Sequence, residues 1–301
     1  MVEGKKRTAL GIALLMTAAI LWGFSFTVQN IGLEECPALT FNGIRMLLGG
    51  IALLPVIAVM DAGKRKKQLE TVSWTDKTLL KGGLVCGIFI TIGSSLQTFG
   101  LCYTTPGKSG FVTTLYVLFV PVFYFLFFKL KTEKKIWFCV ILSLIGMYFL
   151  CMTGDTGVNK GDVLTFICAI GYAFHIISID RFSPRTDAVK LSSYQFIFCG
   201  IVSLIPALII EQPTIDCLKP AIWAILYAGL LSTGVAFTFQ VIAIPMLNPV
   251  VATILSSFES VFALIGGMII LHDIPTFKEA LGCAMMFAAL IIAQVKIKKK
   301  D

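Results

Sequence analysis

Charged side chains are scarce in this sequence. Of its 301 residues only 14% are Asp, Glu, Lys or Arg, while 57% are hydrophobic and the mean hydropathy is +0.88. A soluble protein carries about 25% charged residues to cover its surface. The composition therefore excludes an ordinary soluble globular protein. No hydrophilic stretch is long enough to fold as a separate domain, so no attached ATPase or soluble sensor module is expected.

Two chemical signatures are also missing. Residues 103–110, YTTPGKSG, contain the Gly-Lys-Ser end of a phosphate-binding loop, but Cys102 stands where G-x-x-x-x-G-K-[ST] requires its first glycine. The nine cysteines include no C-x-x-C pair, which argues against a zinc site or a disulfide framework. Cys36 and Cys217 nevertheless fall near the same predicted membrane face, where they could pair. We expect no cofactor.

Long apolar runs are what the sequence does contain. A helix needs about 20 apolar residues to cross a bilayer. Ten runs of roughly that length occur between short polar stretches, which predicts an all-α integral membrane protein with ten transmembrane helices. The predicted spans are residues 9–29, 37–60, 79–102, 107–128, 135–152, 161–180, 189–210, 220–242, 248–271 and 277–295.

The basic residues predict how these spans are oriented. With the N-terminus inside, the cytoplasmic segments hold 20 Lys and Arg residues and the outer segments four. Because short cytoplasmic loops are enriched in Lys and Arg, we predict a multi-pass protein of the cell membrane with both termini cytoplasmic. The net charge of +8 then reflects topology and contact with the lipid bilayer, and we expect no nucleic-acid partner. Lys108 falls on the outer face, where there is no nucleotide pool.

The two halves of the chain resemble each other. An offset of 150 pairs Gly11 with Gly161 and Phe24 with Phe174, and a later offset of 139 pairs Phe119 with Phe258. Each half would hold five spans, so an odd number would insert the second half upside down, as in many secondary transporters. We predict repeats at 1–152 and 161–295, followed by a cytoplasmic basic tail at 296–301.

The run ALLMTAAILWGFSFTVQNIGLEECPALTFNGIRMLLGGIALLP resembles the first repeat of the EamA-type drug/metabolite transporters. Trp22, Gly23, Pro37 and Arg45 are the marks of that similarity, and SSFESVFALIGGMIILHDIPTFKEALGCAMMFAALIIA resembles the closing block. The resemblance implies two inverted five-helix bundles around a central cavity lined by spans one to four and six to nine. It names no substrate, because the superfamily handles amino acids, nucleotide sugars, cationic drugs, nucleosides and vitamins.

Ionisable residues inside predicted spans are candidates for function. Glu259 lies within span nine and His175 within span six, and we interpret both as candidate proton-coupling groups; a structural, hydrogen-bonded role is the alternative for each. Arg45 in span two could reach the membrane surface, pair with Glu259, or bind a substrate carboxylate, and a structural role in the packing of the spans is the alternative. A proline removes one helical hydrogen bond, so Pro121 in span four is a candidate hinge.

Other polar and aromatic residues predict a substrate site at mid-membrane. Tyr172 and His175 share a face of span six, and the same face recurs on span one. A packing role, with aromatics filling a helix interface, is the alternative. The full predicted substrate-binding set is Trp22, Ser25, Gln29, Arg45, Gln97, Tyr116, Tyr172, His175, Gln240 and Ser256.

These features favour a secondary transporter for a small amphipathic metabolite, such as an amino acid or a drug-like solute, working by alternating access. A multivalent anion would need several Lys or Arg residues at depth, and only Arg45 is available. Proton coupling is predicted, with exchange or facilitated diffusion as the alternative. A non-transporting sensor or assembly protein and an integral-membrane enzyme are the other classes. The oligomeric state, monomer or homodimer, is left open.

Overall fold

The computed structural model describes residues 2–104, 106–151, 159–271 and 276–294, and helices make up nearly all of them. No strand occurs in these ranges. The helices of the first half are α1 (Val2–Glu35), α2 (Ala38–Lys66), α3 (Lys77–Leu101), α4 (Pro106–Thr113), α5 (Tyr116–Phe128) and α6 (Lys134–Cys151). The helices of the second half are α7 (Lys160–Phe182), α8 (Ala188–Pro206), α9 (Ile215–Leu226), α10 (Thr238–Ala243), α11 (Pro249–Ser256), α12 (Glu259–Leu271) and α13 (Phe277–Gln294).

Eight helical segments are long and apolar enough to cross a membrane. They are Gly4–Glu35, Ala38–Lys66, Lys77–Leu101, Ser109–Phe128, Lys160–Arg185, Ala188–Glu211, Ile215–Met246 and Pro249–Gly266. The helices α6 and α13, of 18 residues each, occupy the positions predicted for spans five and ten. The basic tail predicted at 296–301 lies outside the described residues.

Two of the predicted spans are interrupted. The fourth breaks at Thr114 and Leu115, between α4 and α5, and the ninth breaks at Ser257 and Phe258, between α11 and α12. At each break a hydroxyl donates to the carbonyl three residues earlier, from Thr114 at 2.9 Å and from Ser257 at 2.8 Å. Such bonds compete with the backbone hydrogen bonds of the helix. Pro121 lies buried inside α5, so the helix is interrupted before the proline that the sequence singled out.

The eighth span contains an unusual helical segment. Between α9 and α10 the chain forms a π-helical segment, Tyr227–Phe237, whereas α3 at the corresponding place in the first half is α-helical throughout. A shorter π-helical turn, Ala207–Glu211, follows α8. Single π turns inside helices often mark functional sites because they displace side chains and free backbone carbonyls.

Helix bounds recur between the halves at a constant spacing. Adding 143 to the bounds of α4, α5 and α6 reproduces those of α11, α12 and α13, while α2 and α8 begin 150 residues apart. The offset of 139 taken from the sequence is therefore wrong by one helical turn. An apolar helix shifted by four residues shows nearly the same face, so sequence matches alone did not distinguish the two registers.

The packing of helices follows the same spacing. Helix α1 packs against α9, the π-helical segment and α12, and α7 packs in the corresponding way against α3, α4 and α5. Helices α2 and α8 cross each other closely. A Cβ atom on Gly50 would lie 2.9 Å from the amide nitrogen of Ile197, and one on Gly200 would lie 2.8 Å from that of Leu47. Both distances are shorter than real Cβ contacts, so this crossing requires glycine at both positions.

Candidate functional site

A narrow cavity of about 30 Å³ lies where the two halves meet. Nine of the predicted site residues line it. They are Trp22, Ser25, Gln29, Arg45, Gln97, Tyr116, Tyr172, Gln240 and Glu259. These side chains come from α1, α2, α3, α5, α7, α10 and α12, so helices of both halves build the cavity. Three predicted residues, His175, Ser256 and Pro121, are buried elsewhere.

Arg45 supplies the positive charge of the cavity. Its side chain is 1% exposed, so it does not reach the membrane surface. Its Nε donates to Asn42 Oδ1 at 3.1 Å, and Asn42 Nδ2 in turn donates to Ser94 Oγ at 3.1 Å and to Ser203 Oγ at 3.2 Å. Arg45 Nη2 is buried without a hydrogen-bond partner. This guanidinium is held by neutral groups and keeps an unused donor.

Glu259 supplies the carboxyl group. It is the first residue of α12, directly after the break in span nine, and is 6% exposed. Tyr116, the first residue of α5, donates its hydroxyl hydrogen to Glu259 Oε1 at 3.3 Å. Tyr116 and Glu259 occupy equivalent positions, since they are 143 residues apart. The Ser256 side chain forms a hydrogen bond with the Tyr116 hydroxyl, so Ser256 contacts a residue of the cavity wall without lining the cavity itself.

Arg45 and Glu259 do not pair with each other in the described structure. No ion pair joins them among the described residues, although both line the same cavity. An unpaired cation and carboxyl group in a buried site are costly unless a ligand or water satisfies them. The cavity therefore contains a cationic group and a carboxyl group that do not form an ion pair with each other.

Neutral polar groups also line the cavity. Tyr172 donates its hydroxyl hydrogen to Gln97 Oε1 at 3.3 Å, and Gln97 Nε2 donates to Thr113 Oγ1 at 3.3 Å. On the facing helices, the Oε1 atoms of Gln29 and Gln240 are buried without partners. These two acceptors and the free donor of Arg45 are cavity-lining groups that could bind a solute with both donors and acceptors.

The aromatic wall is built around a residue that the sequence analysis missed. Phe237, at the end of the π-helical segment, has its ring centroid 4.9 Å from that of Trp22 and 6.3 Å from that of Tyr172. Trp22 Nε1 donates to the backbone carbonyl of Ser232 at 3.2 Å, within the same segment. Phe26, Ile176 and Ser232 also line the cavity and were missed. No sequence pattern indicates the π-helical segment that contains Ser232 and Phe237.

His175 lies beside the cavity wall. Its Nε2 is 2.7 Å from Gln195 Oε1, and its ring meets Phe237 edge to face at 6.3 Å between centroids. Gln195 is the equivalent of Arg45, 150 residues later. The contact matches the alternative interpretation, in which His175 hydrogen-bonds a neighbouring helix.

A wider cavity of about 760 Å³ opens at one end of the helices. Its lining includes the start of α1, the ends of α5 and α7 and the start of α11, all of which are cytoplasmic in the predicted orientation. Tyr124 and Asp180 lie on its wall and are joined by a hydrogen bond of 2.6 Å. The polar and charged residues around it are Thr8, Tyr124, Lys131, Thr132, Glu133, Lys135, Asp180 and Asn248.

An apolar layer separates the two cavities. Along α1, Leu15 lies between the wide cavity and Trp22; along α5, Val120 lies between Tyr124 and Tyr116. Ile176 occupies the corresponding position on α7, and all three side chains belong to one buried cluster. Buried aliphatic side chains on three helices therefore lie between the linings of the two cavities.

Comparisons with known proteins agree with this architecture. The sequence model of the EamA-like transporter family matches residues 9–152 and again residues 159–294. This chain belongs to the EamA-like transporter family. Together with eight apolar helices, the match identifies a multi-pass membrane protein of a transporter family. In the described part of the chain, no three His, Cys, Asp or Glu side chains are grouped as metal ligands.

Relatives carry the same description. An uncharacterized transporter of Archaeoglobus fulgidus is 28% identical over 98% of this EamA-family chain and 89% of its own length. The uncharacterized inner membrane transporter YedA of Escherichia coli K12 is 26% identical over 84% of this chain and 80% of its own length. A solved crystal structure superposes with a TM-score of 0.76 over 95% of this chain and 98% of its own, at 16% identity, which shows the shared fold.

Proposed function

We propose that this chain is a secondary transporter that moves a small amphipathic metabolite, such as an amino acid or a drug-like solute, across the cell membrane by alternating access. In this proposal ten helices form two inverted repeats, and both termini are cytoplasmic. The substrate binds in the narrow cavity, and Glu259 carries the coupled proton.

The equivalent contacts of the two halves support the inverted arrangement. Gly50 meets Ile197 as Gly200 meets Leu47, and each pair is related to the other by 150 residues. Equal helix bounds at a spacing of 143 add a second, independent correspondence. Two halves of opposite orientation can exchange conformations, which converts an inward-open site into an outward-open one.

The observation that carries the proposed function is the set of unpartnered polar atoms in the cavity wall. Arg45 Nη2 is a free donor with a positive charge, and the Oε1 atoms of Gln29 and Gln240 are free acceptors. Buried polar atoms are normally satisfied, and exceptions often belong to functional sites. A carboxylate on Arg45 and an amine near Glu259 or the glutamines would satisfy them, while Trp22 and Phe237 cover the apolar part.

The size of the cavity supports a conformational cycle. A volume of about 30 Å³ leaves room for about two water molecules, which is too little for an amino acid. The site must therefore widen before it binds substrate. Parting of the layer formed by Leu15, Val120 and Ile176 would connect the cavity with the wide cytoplasmic one.

The position of Glu259 supports proton coupling. Desolvation favours the protonated form of a buried carboxyl group, whereas water or a bound cation favours the ionised form. Opening of the site to either side would change the environment of Glu259, and with it the proton occupancy. Because the group follows a helix break, small movements of α12 relative to α11 would also move the carboxyl group.

Flux measurements in liposomes test the proposed function. Purified protein is reconstituted, and labelled amino acids, nucleosides and organic cations are screened for uptake against protein-free liposomes. Saturable uptake of an unchanged solute is the expected result. Binding without uptake would favour a sensor, and chemical conversion of the solute would favour an enzyme. Either outcome contradicts the proposal.

A further inference from the structure

Two cysteines from distant parts of the chain meet at the end of the molecule opposite the wide cavity. Cys36 links α1 to α2, and Cys217 lies in the first turn of α9. Their side chains interact with each other, and both are free thiols. Cys36 also packs in a small cluster with Ala221 and Ala224, which follow Cys217 on the same helix. The fold therefore holds the two thiols side by side.

We propose that Cys36 and Cys217 are an oxidation site, at which an intramolecular disulfide forms. No role in the narrow cavity accounts for the pair, since neither residue lines it. In the proposed orientation the pair lies at the outer face, the side on which protein disulfides persist. Formation of this disulfide, however, depends neither on transport nor on the orientation of the protein in the membrane.

The surroundings of the two thiols assign them different steps. Cys217 is partly exposed and can meet an oxidant, whereas Cys36 is 2% exposed. Burial, with contributions from Cys217 and the Glu211 carboxylate, raises the pKa of Cys36 to about 12. Because the thiolate is the attacking form, Cys217 reacts first and Cys36 completes the bond.

The reaction balances with a disulfide-bearing oxidant. The Cys217 thiolate attacks one sulfur of the oxidant's disulfide, forms a mixed disulfide and releases one thiolate of the oxidant. Cys36 then loses its proton to solvent and attacks Cys217 Sγ, which releases the second thiolate. The protein loses two electrons and two protons, and the oxidant gains two electrons and becomes a dithiol.

The new bond would join elements that already pack against each other. Cys217 belongs to α9, which packs against α1, and Cys36 is the residue that follows α1 by one position. The bond would therefore strengthen the contact between α1 and α9 without crossing to the helices packed on α7. We expect it to stabilise the protein and to leave the conformational cycle free.

Thiol counting on the purified full-length protein tests the site. Samples are treated with a reductant or with diamide, whose N=N bond takes up the two electrons and two protons of a thiol pair. They are then denatured, alkylated with N-ethylmaleimide and measured by intact mass and peptide mapping. Of nine cysteines, we expect seven to be alkylated after oxidation, with a peptide that links residues 36 and 217.

Three variants complete the test. After oxidation, Cys36→Ser and Cys217→Ser should each keep all eight remaining thiols free. Cys102→Ser, which removes an exposed cysteine, should still form the disulfide and keep six free thiols. Oxidation should also raise the apparent unfolding temperature of the wild type by a few degrees and leave that of Cys36→Ser unchanged. Full alkylation after diamide, or a link between other cysteines or between two chains, would overturn the proposal.

Discussion

The first turns of α2 and α8 show how the two halves solve one problem differently. A helix leaves its first backbone amides without partners inside the helix. In α8 the carboxylate of Asp187, the residue just before the helix, accepts from the amides of Val189 and Lys190 at 3.1 Å each. In α2 the carboxylate comes from Glu211, which is 171 positions away from Thr40 in the sequence. It accepts a hydrogen bond from the Thr40 amide at 2.8 Å.

The difference follows from two substitutions between equivalent positions. Pro37 stands where the second half has Asp187, and proline offers no capping group. Asp61 is the equivalent of Glu211, but it binds the ammonium group of Lys190 at 2.7 Å. Both helices thus begin with a carboxylate that accepts from their first amides. In α8 it belongs to the preceding residue, and in α2 it belongs to the other half of the chain. A duplicated backbone keeps its geometry while the side chains at equivalent positions exchange tasks.

The narrow cavity shows the same divergence. Tyr116 in the first half and Glu259 in the second are equivalent, and they meet in one hydrogen bond. Arg45 is equivalent to Gln195, whereas Gln97 and Gln240 are identical and both line the cavity. If the two halves were identical, equivalent positions in the cavity would carry the same side chain. Substitution at two positions gives the cavity one guanidinium group and one carboxyl group.

We predict the largest effect for the ion pair between Asp61 and Lys190, which lies in the first turn of α8. Lys190→Met should leave the half-buried Asp61 without its cation and lower the free energy of unfolding by about 3 kcal/mol. Adding Asp61→Asn should recover the part of the loss that comes from the unpaired carboxylate, but not the part that comes from the hydrogen bond of Lys190 to the Val72 carbonyl. Unfolding in mixed micelles measures both. Lys67→Met, at an exposed lysine, is the matched control. A loss no greater than that of the control would show that the two helix ends do not differ as described.

Replacing Arg45 with its equivalent residue tests the divergence in the cavity. Arg45→Gln should lower transport efficiency about 100-fold, because a charge-assisted hydrogen bond to substrate contributes about 1.5–3 kcal/mol. The ratio of maximal rate to half-saturation concentration is measured in liposomes. Arg181→Gln, at an exposed arginine, should transport normally. Equal efficiency of Arg45→Gln and wild type would remove Arg45 from the substrate site.

The carboxylate that caps α2 should matter less. Glu211→Gln keeps an oxygen acceptor but loses the negative charge beside the helix N-terminus, so we expect a loss of about 1 kcal/mol in the free energy of unfolding. Glu34→Gln, at an exposed position, should show no change. A loss as large as that of Lys190→Met would contradict the smaller weight that we assign to the cap of α2.

The Asp187 cap of α8 should make the stability of the protein depend on pH. Burial raises the pKa of Asp187, but the hydrogen bond and charge of Lys64 and the two backbone amides outweigh it and hold the pKa below 3.8. A lowered pKa in the folded state stabilises the protein above pH 3.8, and this contribution is lost as the pH falls through the lowered value. Asp187→Asn should therefore weaken the acid dependence of the unfolding temperature. Identical pH profiles would contradict this.

Sequence reasoning reached the membrane class, the family and most of the cavity lining, because these depend on composition and on polar residues that are conspicuous among apolar ones. Glu259 and Arg45 were found in this way. It misplaced the second-half register by one turn, since apolar helices repeat themselves every four residues. It missed Phe237 and Ser232, because the π-helical segment that turns them toward the cavity has no signature in residue type. His175 was found as a buried polar residue, but its contact with Gln195, a residue of another helix, depends on the tertiary fold.

The most direct test of the account is uptake by wild-type protein and Glu259→Gln in liposomes with and without a pH gradient. The account predicts that the gradient drives wild-type accumulation, and that Glu259→Gln still equilibrates substrate but accumulates it at least about tenfold less. Glu34→Gln should behave as wild type. Accumulation that ignores the gradient in the wild type, or that follows it unchanged in Glu259→Gln, would contradict the assignment of Glu259 as the proton site.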